Sequence, residues 1–479
     1  MRVVVNGAGI AGLSSALFLA RAGHDVVVVE RDATPLPESA DAAFEWDRRG
    51  APQVRHSHAL LARLRNLLRD HLPDVLADLL AAGATEVAWR DMAPDTLDDL
   101  SPRPGDEDLV LLACRRTTFE WVLRRAALGA ERVQLRDGVA VTGLVAGDTA
   151  GAAPRVIGVR TTAGTLMADL VVEAGGRRSA LPTMLAGIGV ELEEEEQDTG
   201  IIYLSRFYRL HHDAEAPDRL ALNGGDLGYL KYGIFRGDNR TFSVTLAVGS
   251  DDPGLRAVLD PTRFDRAVAR IPAAAAWVDA GISEPITTVH VMAGLVNRVR
   301  HFVAGGRPIA LGVHAVGDAS VCTNPLYGRG CSLGAVHAWL LADSLAEHGE
   351  DLGALALAFE EGTRRELIPW HQASVAQDEV SKLVLHGESL GGGGPDPRSL
   401  LTEGLFPLAR VDADVHRAWV RTMNLLTPPD TMLTDATLMG RVLAFWNDRA
   451  TRPPEPPLGP ERAEMLAVLA ERPEPARSA

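Results

Sequence analysis

The first thirty residues constrain this chain most, because they combine a glycine cluster with two short apolar runs. Residues 2–6 (RVVVN) predict a buried strand, and the turn GAGIAG follows at 7–12. Residues 13–22 predict a helix that ends at Gly23, and residues 24–30 (HDVVVVE) predict a second buried strand. The order of these segments indicates one βαβ unit with a G-x-G-x-x-G turn before its helix.

Each glycine of such a turn has a physical purpose. The first allows a tight turn, the second lets a phosphate approach the backbone, and the third lets helix and strand pack closely. Free N–H groups and the helix dipole favour a negative charge at the helix N-terminus. Glu30 ends the second strand, 18 residues after Gly12, where a carboxylate accepts hydrogen bonds from ribose hydroxyls. The segment therefore predicts a dinucleotide site, but it leaves both NAD and FAD open.

A second glycine-rich segment, 312–334, reads GVHAVGDASVCTNPLYGRGCSLG. A strand is predicted to end at Gly317-Asp318, and a loop with Pro325, Gly328 and Gly330 then leads into a helix. Here the sequence resembles the group A flavoprotein monooxygenases of the para-hydroxybenzoate hydroxylase fold. In that family the aspartate of the GD motif contacts the ribityl hydroxyls of FAD, and a Pro-x-x-Gly-x-Gly loop wraps the isoalloxazine. The resemblance therefore implies FAD as the cofactor.

Further segments extend the resemblance over residues 1–450. The run RTTFEWVL, which starts at Arg116, resembles a family helix whose arginine reaches the FAD phosphates or ribityl chain. The segments 52–61 and 324–330 resemble a bacterial subgroup of FAD oxidoreductases related to polyprenyl-methoxyphenol hydroxylases. The resemblance implies the following FAD contacts: Gly7, Ala8, Gly9, Ile10, Ala11, Gly12, Glu30, Arg31, Arg116, Gly317, Asp318, Pro325, Gly328 and Gly330.

One segment departs from the family pattern. Residues 169–179 (DLVVEAGGRRS) resemble the family motif named for its Asp-Gly pair, but Gly175 stands where that pair has its aspartate. The substitution removes a polar contact that supports cofactor and NAD(P)H binding in the family. NAD(P)H is implied only as a transient reductant, because the sequence has no second G-x-G-x-x-G for a separate nicotinamide domain.

The middle of the chain has a different pattern, rich in β-branched and aromatic residues at 200–210, 227–236 and 241–248, with a hairpin turn at 237–240. We therefore predict an α/β fold with an α+β insert: a Rossmann-like FAD-binding domain, an inserted antiparallel-sheet substrate domain and C-terminal helices. The predicted boundaries are 1–190 and 301–350 for the two parts of the FAD-binding domain, 191–300 for the substrate domain and 351–479 for the helical region.

The resemblance implies an FAD-dependent monooxygenase, in which a flavin C4a-hydroperoxide formed from O2 hydroxylates or epoxidises an apolar aromatic or olefinic molecule, in a role suited to secondary metabolism. Two alternatives stay open: a dehydrogenase or reductase of the geranylgeranyl-reductase type, and a non-catalytic flavin-binding protein. Candidate chamber residues are Arg55 and His58 as catalytic groups, and Tyr203 and Arg206 as substrate contacts.

Some patterns favour a structural interpretation. The pair His56 and His58 lacks a third ligand at recognisable spacing, so no metal site is predicted. The acidic run at 191–196 indicates a solvated connector, and Cys331 indicates a packed thiol. The glycine run 391–394 indicates a loop, and the Pro/Arg/Glu-rich stretch after about 451 indicates a frayed end.

Composition bounds the partners and the compartment. The net charge of −16 argues against a nucleic acid or an anionic membrane surface as partner. No apolar run approaches the 18 or more residues of a membrane span, and the charged, glycine-rich start leaves no room for a signal core. Three distant cysteines favour a reducing cytoplasm. We expect a monomer or a homodimer.

Overall fold

The computed structural model of the chain describes residues 1–147, 153–217, 222–385, 397–453 and 456–471. In chain order the strands are β1 (Arg2–Asn6), β2 (Asp25–Glu30), β3 (Thr85–Ala88), β4 (Val110–Ala113), β5 (Val133–Asp137), β6 (Val141–Ala146), β7 (Val156–Thr161), β8 (Gly164–Met167), β9 (Leu170–Glu173), β10 (Glu193–Asp198), β11 (Ile201–Leu210), β12 (Leu222–Asp226), β13 (Leu230–Arg236), β14 (Thr241–Gly249), β15 (Ser283–Pro285), β16 (His290–Met292), β17 (Val296–His301), β18 (Val303–Ala304), β19 (Arg307–Pro308), β20 (Val313–Ala315) and β21 (Val321–Cys322).

Helices occupy both halves of the chain and dominate its end. In chain order they are α1 (Ile10–Arg21), α2 (Ala62–His71), α3 (Pro73–Ala81), α4 (Trp89–Met92), α5 (Arg116–Gly129), α6 (Leu181–Ala186), α7 (Pro261–Ala269), α8 (Pro272–Ala275), α9 (Gly330–His348), α10 (Leu352–Glu366), α11 (Ile368–Leu385), α12 (Pro397–Ser399), α13 (Phe406–Leu408), α14 (Ala413–Met423), α15 (Thr431–Thr434), α16 (Ala436–Asn447) and α17 (Arg462–Ala470).

A parallel sheet with the strand order β20-β9-β1-β2-β5 forms the centre of the first layer. Its inner strands β1, β2 and β9 are apolar runs because helices or further strands cover both faces, as the burial of Val3, Val4 and Val5 shows. The helices α1, α5 and α9 pack on one side. The predicted βαβ unit is present, and α1 begins three residues earlier than the pattern suggested, at Ile10.

An antiparallel sheet with the order β12-β13-β14-β11-β15 forms the second layer, and β16 also pairs with β11. The hairpin between β13 and β14 turns at 237–240, as predicted, with Asn239 and Arg240 at positive φ. One face of this sheet packs on α7 and α8 around Phe264 and Trp277, which are buried. The other face is directed toward the end of the parallel sheet, where the candidate site lies.

The acidic run is a strand, so the connector prediction is wrong. β10 pairs antiparallel with β17, and its carboxylates lie opposite a basic strand. Glu194 forms an ion pair with Arg300 at 3.0 Å, and Glu196 forms one with Arg298 at 3.3 Å. The run is exposed and charged, as its composition indicated, but cross-strand pairing with β17 gives it regular structure.

The C-terminal region is helical, as predicted, and it packs back onto both layers. Helix α11 lies beside β17 and β21, and α17 packs on α7. Met465 and Leu469 of α17 are buried in the core of the second layer, so the stretch after 451 contains an ordered helix before its end. The glycine run 391–394 and the final residues lie outside the described residues.

Candidate functional site

A cavity of about 690 Å³ lies where the carboxyl ends of the parallel strands meet the antiparallel sheet. Ligands of α/β folds bind at this edge of a parallel sheet. The wall contains all of the predicted cofactor residues except Gly12, together with Arg55, His58 and Tyr203. The structure therefore brings together segments that lie up to three hundred residues apart in the chain. The contacts of these residues with FAD stay predictions.

The glycine turn has the shape that a phosphate site requires. Gly7 has φ +106°, and a Cβ atom there would lie 2.6 Å from the carbonyl oxygen of Ala174. A Cβ atom on Gly12 would overlap the carbonyl oxygen of Gly7, so the third glycine allows the helix to pack on its own turn and does not itself line the cavity. A Cβ atom on Gly9 would meet nothing within 4 Å and so would take up open space at the cavity wall.

The start of α1 is free for an anion. Helix α1 begins at Ile10 without a side-chain cap and without an acidic residue in its first turn. Its first N–H groups therefore have no intrahelical acceptor and carry the positive end of the helix dipole. The helix N-terminus, together with the open space beside Gly9, fits a pyrophosphate.

Glu30 holds the glycine turn in place from the neighbouring strand. Its side chain is buried, and its Oε2 atom accepts the N–H of Ala8 at 2.9 Å, whereas Oε1 accepts the N–H of Asp32 at 3.0 Å. A carboxylate has further lone pairs, so these bonds leave capacity for the ribose contact that we predict. The same residue would thus shape the turn and bind the ligand.

Sequence reasoning missed a buried arginine beside Glu30. Arg48 donates from Nη2 to the carbonyl oxygen of Ala8 at 3.2 Å and lies 3.5 Å from Oε2 of Glu30. Its Nη1 atom donates to Glu120 at 3.0 Å, and its guanidinium lies 4.8 Å from the ring centre of Trp46. Arg48 lies in the long loop after β2, where no spacing rule marks it, so only the fold could reveal it.

A chain of polar contacts continues from Arg48 toward the other end of the cavity. Glu120, whose side chain has no exposed surface, also accepts from Nε of Arg116 at 2.8 Å. Nη1 of Arg116 lies 3.1 Å from Nε2 of His58. The ion pairs of Glu120 therefore fix Arg116 at the cavity wall, where its remaining donors can reach a phosphate or hydroxyl group.

His58 is held as a neutral imidazole. Since Nε2 accepts from Arg116, Nδ1 carries the proton and donates to the carbonyl oxygen of His56 at 2.9 Å. Burial, and next the charge of Arg116, lower the pKa of His58 well below its usual value. Both ring nitrogens are therefore engaged by protein groups, and the contact with Nη1 orients Arg116. The catalytic role of His58 stays a prediction.

Asp318 lines the cavity and follows a glycine turn that packs against α1. Gly317 has φ +59°, and a Cβ atom there would lie 2.9 Å from that of Ala11 on α1. Within the described residues, no protein group donates a hydrogen bond to the Asp318 carboxylate. The neighbouring residues Gly317 and Ala319 are buried. Burial raises the pKa of Asp318, and the charges of Arg177 and Arg116 oppose that effect. A carboxylate without protein donors at a cavity wall fits a ligand with hydroxyl groups.

The segment from Asn324 to Gly330 closes the cavity above the start of α9. Pro325 opens a short 3₁₀ turn, and Gly328 has φ +66° with its missing Cβ position 3.0 Å from Cβ of Ala59. Helix α9 begins at Gly330 without a side-chain cap or an acidic first turn. Its N-terminus therefore offers partial positive charge to a ligand in the cavity.

The sheet wall of the cavity follows strand alternation. Tyr203 and Ser205 of β11 line the cavity, as do Thr245 and Ala247 of the paired strand β14. Arg206 does not, because it projects from the other face of β11, where it donates to the carbonyl oxygen of Thr287 at 2.9 Å and pairs with Asp265. The prediction of Arg206 as a cavity residue is therefore wrong in placement, and Tyr203 is correctly placed.

Hydrogen bonds between hydroxyl groups connect this wall to the loop that follows β2. Ser205 Oγ lies 2.8 Å from Thr245 Oγ1 and 3.2 Å from Nδ1 of His56. Ser57 Oγ lies 2.6 Å from Thr245 Oγ1. Burial, and next the neighbouring His290, lower the pKa of His56 to about 4, so these hydrogen bonds end at a neutral imidazole. This part of the cavity wall is therefore polar.

The carboxylate of Glu173 explains why position 175 is a glycine. Oε1 of Glu173 accepts the N–H of Gly175 at 2.9 Å, and a Cβ atom at position 175 would overlap that oxygen. Oε2 accepts from Nδ2 of Asn6 at 2.6 Å, and burial raises the pKa of Glu173. Glu173, at the end of β9, therefore occupies the space beside position 175 that a side chain there would need.

Three further observations bear on the chemistry. Arg55 lines the cavity, is partly exposed and lies 4.0 Å from Glu45.

Cys331 is buried, and burial raises its pKa to about 11, so it remains a thiol at neutral pH. The described residues contain no group of three or more His, Cys, Asp or Glu side chains that could hold a metal ion.

Comparison with known proteins agrees with this geometry. Residues 2–100 match the sequence profile of a family described as FAD dependent oxidoreductase. Protein Rv3254 of Mycobacterium tuberculosis is 29% identical over 400 residues, which cover 76% of this chain and 77% of that protein. The matched segment contains the glycine turn and Glu30. A D-amino acid dehydrogenase of Cereibacter sphaeroides is 29% identical over 272 residues, but these cover only 40% of this chain and 62% of the dehydrogenase.

Two solved structures that superpose on this chain are named as FAD- or flavin-dependent enzymes. PqsL of Pseudomonas aeruginosa, a probable FAD-dependent monooxygenase, superposes with a TM-score of 0.56 at 18% identity, over 80% of this chain and 96% of its own. The flavin-dependent halogenase CmlS superposes with a TM-score of 0.58 at 17% identity, over 98% and 76%. The predicted fold class and an oxidoreductase enzyme with FAD are confirmed. Within the described residues, no helix is long and apolar enough to cross a bilayer.

Proposed function

We propose that this FAD-dependent oxidoreductase is a monooxygenase that uses NAD(P)H and O2 to hydroxylate or epoxidise a small aromatic or olefinic molecule. The observation that carries the proposal is a single cavity that joins the dinucleotide turn, the Gly317-Asp318 turn and one wall of the antiparallel sheet. When bound, FAD supplies hydride acceptance and oxygen activation, and the protein supplies binding, orientation and charge.

The residues that would hold FAD lie along the cavity in a consistent order. The start of α1 and the open side of Gly9 would bind the pyrophosphate, and Glu30 would bind the adenosine ribose. Asp318 would accept hydrogen bonds from the ribityl hydroxyls, and Arg116 would donate to a phosphate or hydroxyl group. The uncapped start of α9 would favour negative charge on the ring system.

The substrate would lie between the ring system and the antiparallel sheet. Phe235, Ala247 and Met292 give this wall apolar surface, whereas Ser205 and Thr245 add hydroxyl groups. We therefore propose an apolar aromatic or olefinic skeleton with at least one hydrogen-bonding group. Arg55, at the exposed side, would bind an acidic substituent.

The reductant is proposed as a transient ligand. NAD(P)H would approach the same cavity and leave before the oxygen step, because the sequence offers no second dinucleotide fingerprint. A dry chamber would then protect the reactive centre from water. We also propose a cytoplasmic monomer or homodimer without a nucleic acid partner, in biosynthesis of a secondary metabolite; its three buried free cysteines fit a reducing compartment.

Two measurements test the function. An absorbance spectrum of the purified protein should show flavin bands near ~370 and ~450 nm, because a protein environment leaves the chemistry of the coenzyme intact. NAD(P)H oxidation should then depend on O2 and on substrate, and the product should gain about 16 Da, the mass of the single oxygen atom that this cofactor chemistry transfers. A colourless protein that takes up no FAD would contradict the proposal.

The match to D-amino acid dehydrogenase supports a second candidate, an FAD-dependent dehydrogenase or reductase. Such an enzyme would move two hydrogens between substrate and cofactor, and its product would differ by about 2 Da without oxygen incorporation. Product mass therefore separates the two candidates. Flavin that no reductant bleaches, with any compound tested, would instead favour a non-catalytic flavin-binding protein.

A further inference from the structure

The loop of residues 324–330 is held by a helix to which sequence analysis assigned no function. Helix α11 presents Trp370, Ser374 and Asp378 at four-residue spacing, so all three lie on one face. This face packs against the loop that closes the cavity. Arg329 of the loop contacts this face, with its guanidinium 4.9 Å from the ring centre of Trp370 and its Nη1 donating to Ser374 at 3.1 Å.

Asp378 is the centre of this contact. The residue is only 3% exposed, and its two carboxylate oxygens accept three hydrogen bonds from other elements. Oδ1 accepts from Nδ2 of Asn324 and from Oη of Tyr327, both at 2.7 Å, and Oδ2 accepts from Nδ2 of Asn297 at 2.7 Å. Hydrogen bonds of this length to a carboxylate are strong.

The carboxylate also decides how two amides are oriented. Because a carboxylate only accepts, Asn324 and Asn297 must each turn their NH2 group toward Asp378. Their oxygens then point the other way: Oδ1 of Asn297 accepts the N–H of Asn324 at 2.7 Å, and Oδ1 of Asn324 accepts the N–H of Leu326 at 3.0 Å. Both bonds fix the backbone of the loop at its first turn.

The same orientation reaches the cavity wall. Oδ1 of Asn324 also accepts from Oη of Tyr203 at 3.1 Å, so the tyrosine hydroxyl must donate away from the cavity. Tyr203 lies on β11, in the sheet that would face the substrate, whereas Pro325 and Gly328 lie on the loop that would face the ring system. One carboxylate therefore sets the positions of groups on both sides of the proposed reaction space.

We propose that Asp378 is a positioning residue that holds the 324–330 loop and the Tyr203 hydroxyl in the geometry that binds the isoalloxazine. It acts through Asn324 and Tyr327 and touches neither cofactor nor substrate. The inference rests on the proposed placement of the ring system against this loop.

The test compares FAD affinity and the visible circular dichroism of the bound flavin in wild type and in Asp378→Asn. An amide at position 378 turns its own donors toward Asn324, Tyr327 or Asn297, so we expect FAD to bind at least about tenfold more weakly. The flavin dichroism should also change, because the ring would be held less rigidly. The matched control is Asp265→Asn, which removes a carboxylate that accepts from Tyr208 on the far face of the sheet and should leave both readouts unchanged.

The double variant Asn324→Asp with Asp378→Asn exchanges amide and carboxylate. The carboxylate introduced at position 324 can still accept from Tyr203 and Leu326, and the amide introduced at position 378 can donate to that carboxylate. Affinity and dichroism should therefore recover relative to either single variant. If Asp378→Asn does not fold, Tyr327→Phe serves as the test instead. It removes one of the three donors to Asp378, so we expect smaller changes in FAD affinity and dichroism.

Wild-type affinity and dichroism in Asp378→Asn or Tyr327→Phe, or no recovery in the double variant, would overturn the inference. A wild-type chain that binds no FAD would overturn the cofactor proposal and this inference with it.

Discussion

At the residue scale, the carboxylates around the cavity differ in what they bind. Glu30 and Glu173 accept backbone N–H groups and so organise the turns that follow β2 and β9. Within the described residues, by contrast, no protein donor reaches Asp318. Asp318 is partly buried, and a carboxylate withdrawn from water without hydrogen bonds is costly. Ligand hydroxyl groups at this position would relieve that cost.

Asp318→Ala should therefore weaken FAD binding by about ten- to a hundredfold, the loss expected for a charge-assisted hydrogen bond. The fold should survive, because no protein group in the described chain loses a hydrogen-bond partner. The ratio of flavin to protein after gel filtration measures the loss. Asp343→Ala, on the exposed side of α9, is the control and should keep its flavin. A variant at position 318 that stays stoichiometrically yellow would show that the GD assignment is wrong.

Residue placement was predictable from sequence only where a spacing rule applies. The cofactor candidates at 7–11, Glu30 and Asp318 lie around one cavity because strand ends of a parallel sheet meet at one edge. Tyr203 and Arg206 project from opposite faces of β11, and their aromatic and basic character gave no indication of which one faces the cavity. Arg48 and Asp378 make their contacts across the fold, so no local pattern marks them.

At the element scale, two glycines of the turn meet two different requirements: close packing of α1 and access for a ligand. The missing side chain of Gly12 lets α1 pack on the turn, whereas the missing side chain of Gly9 leaves room at the cavity wall. Packing and ligand access can therefore be lost separately.

We expect Gly9→Ala to keep the fold and lose FAD affinity, because its methyl group would enter only open space beside the helix N-terminus. Gly12→Ala should lose both, since the new methyl group overlaps the Gly7 carbonyl oxygen and overpacking of this kind costs about 1–3 kcal/mol. Urea unfolding of the FAD-free proteins, together with FAD titration, separates the two effects. Equal unfolding midpoints for the two variants would contradict this division.

The acidic strand shows where element prediction fails. Four successive glutamates at 193–196 have low strand propensity, and their charge alone indicates a solvated segment. The strand forms because Arg298 and Arg300 of β17 lie opposite, a hundred residues away in the chain. The apolar strands β1, β2 and β9 needed no such partner information, because burial alone predicts them.

At the scale of the whole molecule, several histidines outside the cavity wall are buried in neutral form. Burial lowers the pKa of His314 to about 4, of His337 to about 3 and of His416 to about 4, from 6.5. His337 accepts the N–H of Gly317, and His416 accepts from the indole N–H of Trp89. Protonation of the accepting nitrogen would break each of these hydrogen bonds.

The free energy of unfolding should therefore fall as the pH is lowered from about 6.5 to 4. In this window the unfolded chain binds protons at these histidines and the folded chain does not, so each contributes a slope on the order of 1 kcal/mol per pH unit. Stability is fully retained above pH ~6.5, where both states are neutral. Urea unfolding at several pH values measures the slope.

His314→Leu isolates one contribution. Within the described residues Nε2 of His314 has no hydrogen-bond partner, so an apolar replacement should cost little at pH ~7 and should reduce the slope by about 1 kcal/mol per pH unit. His212→Leu replaces a side chain that is 97% exposed and should leave the slope unchanged. If the two variants had the same pH dependence, the histidines buried in this fold would not be the groups that couple its stability to acid.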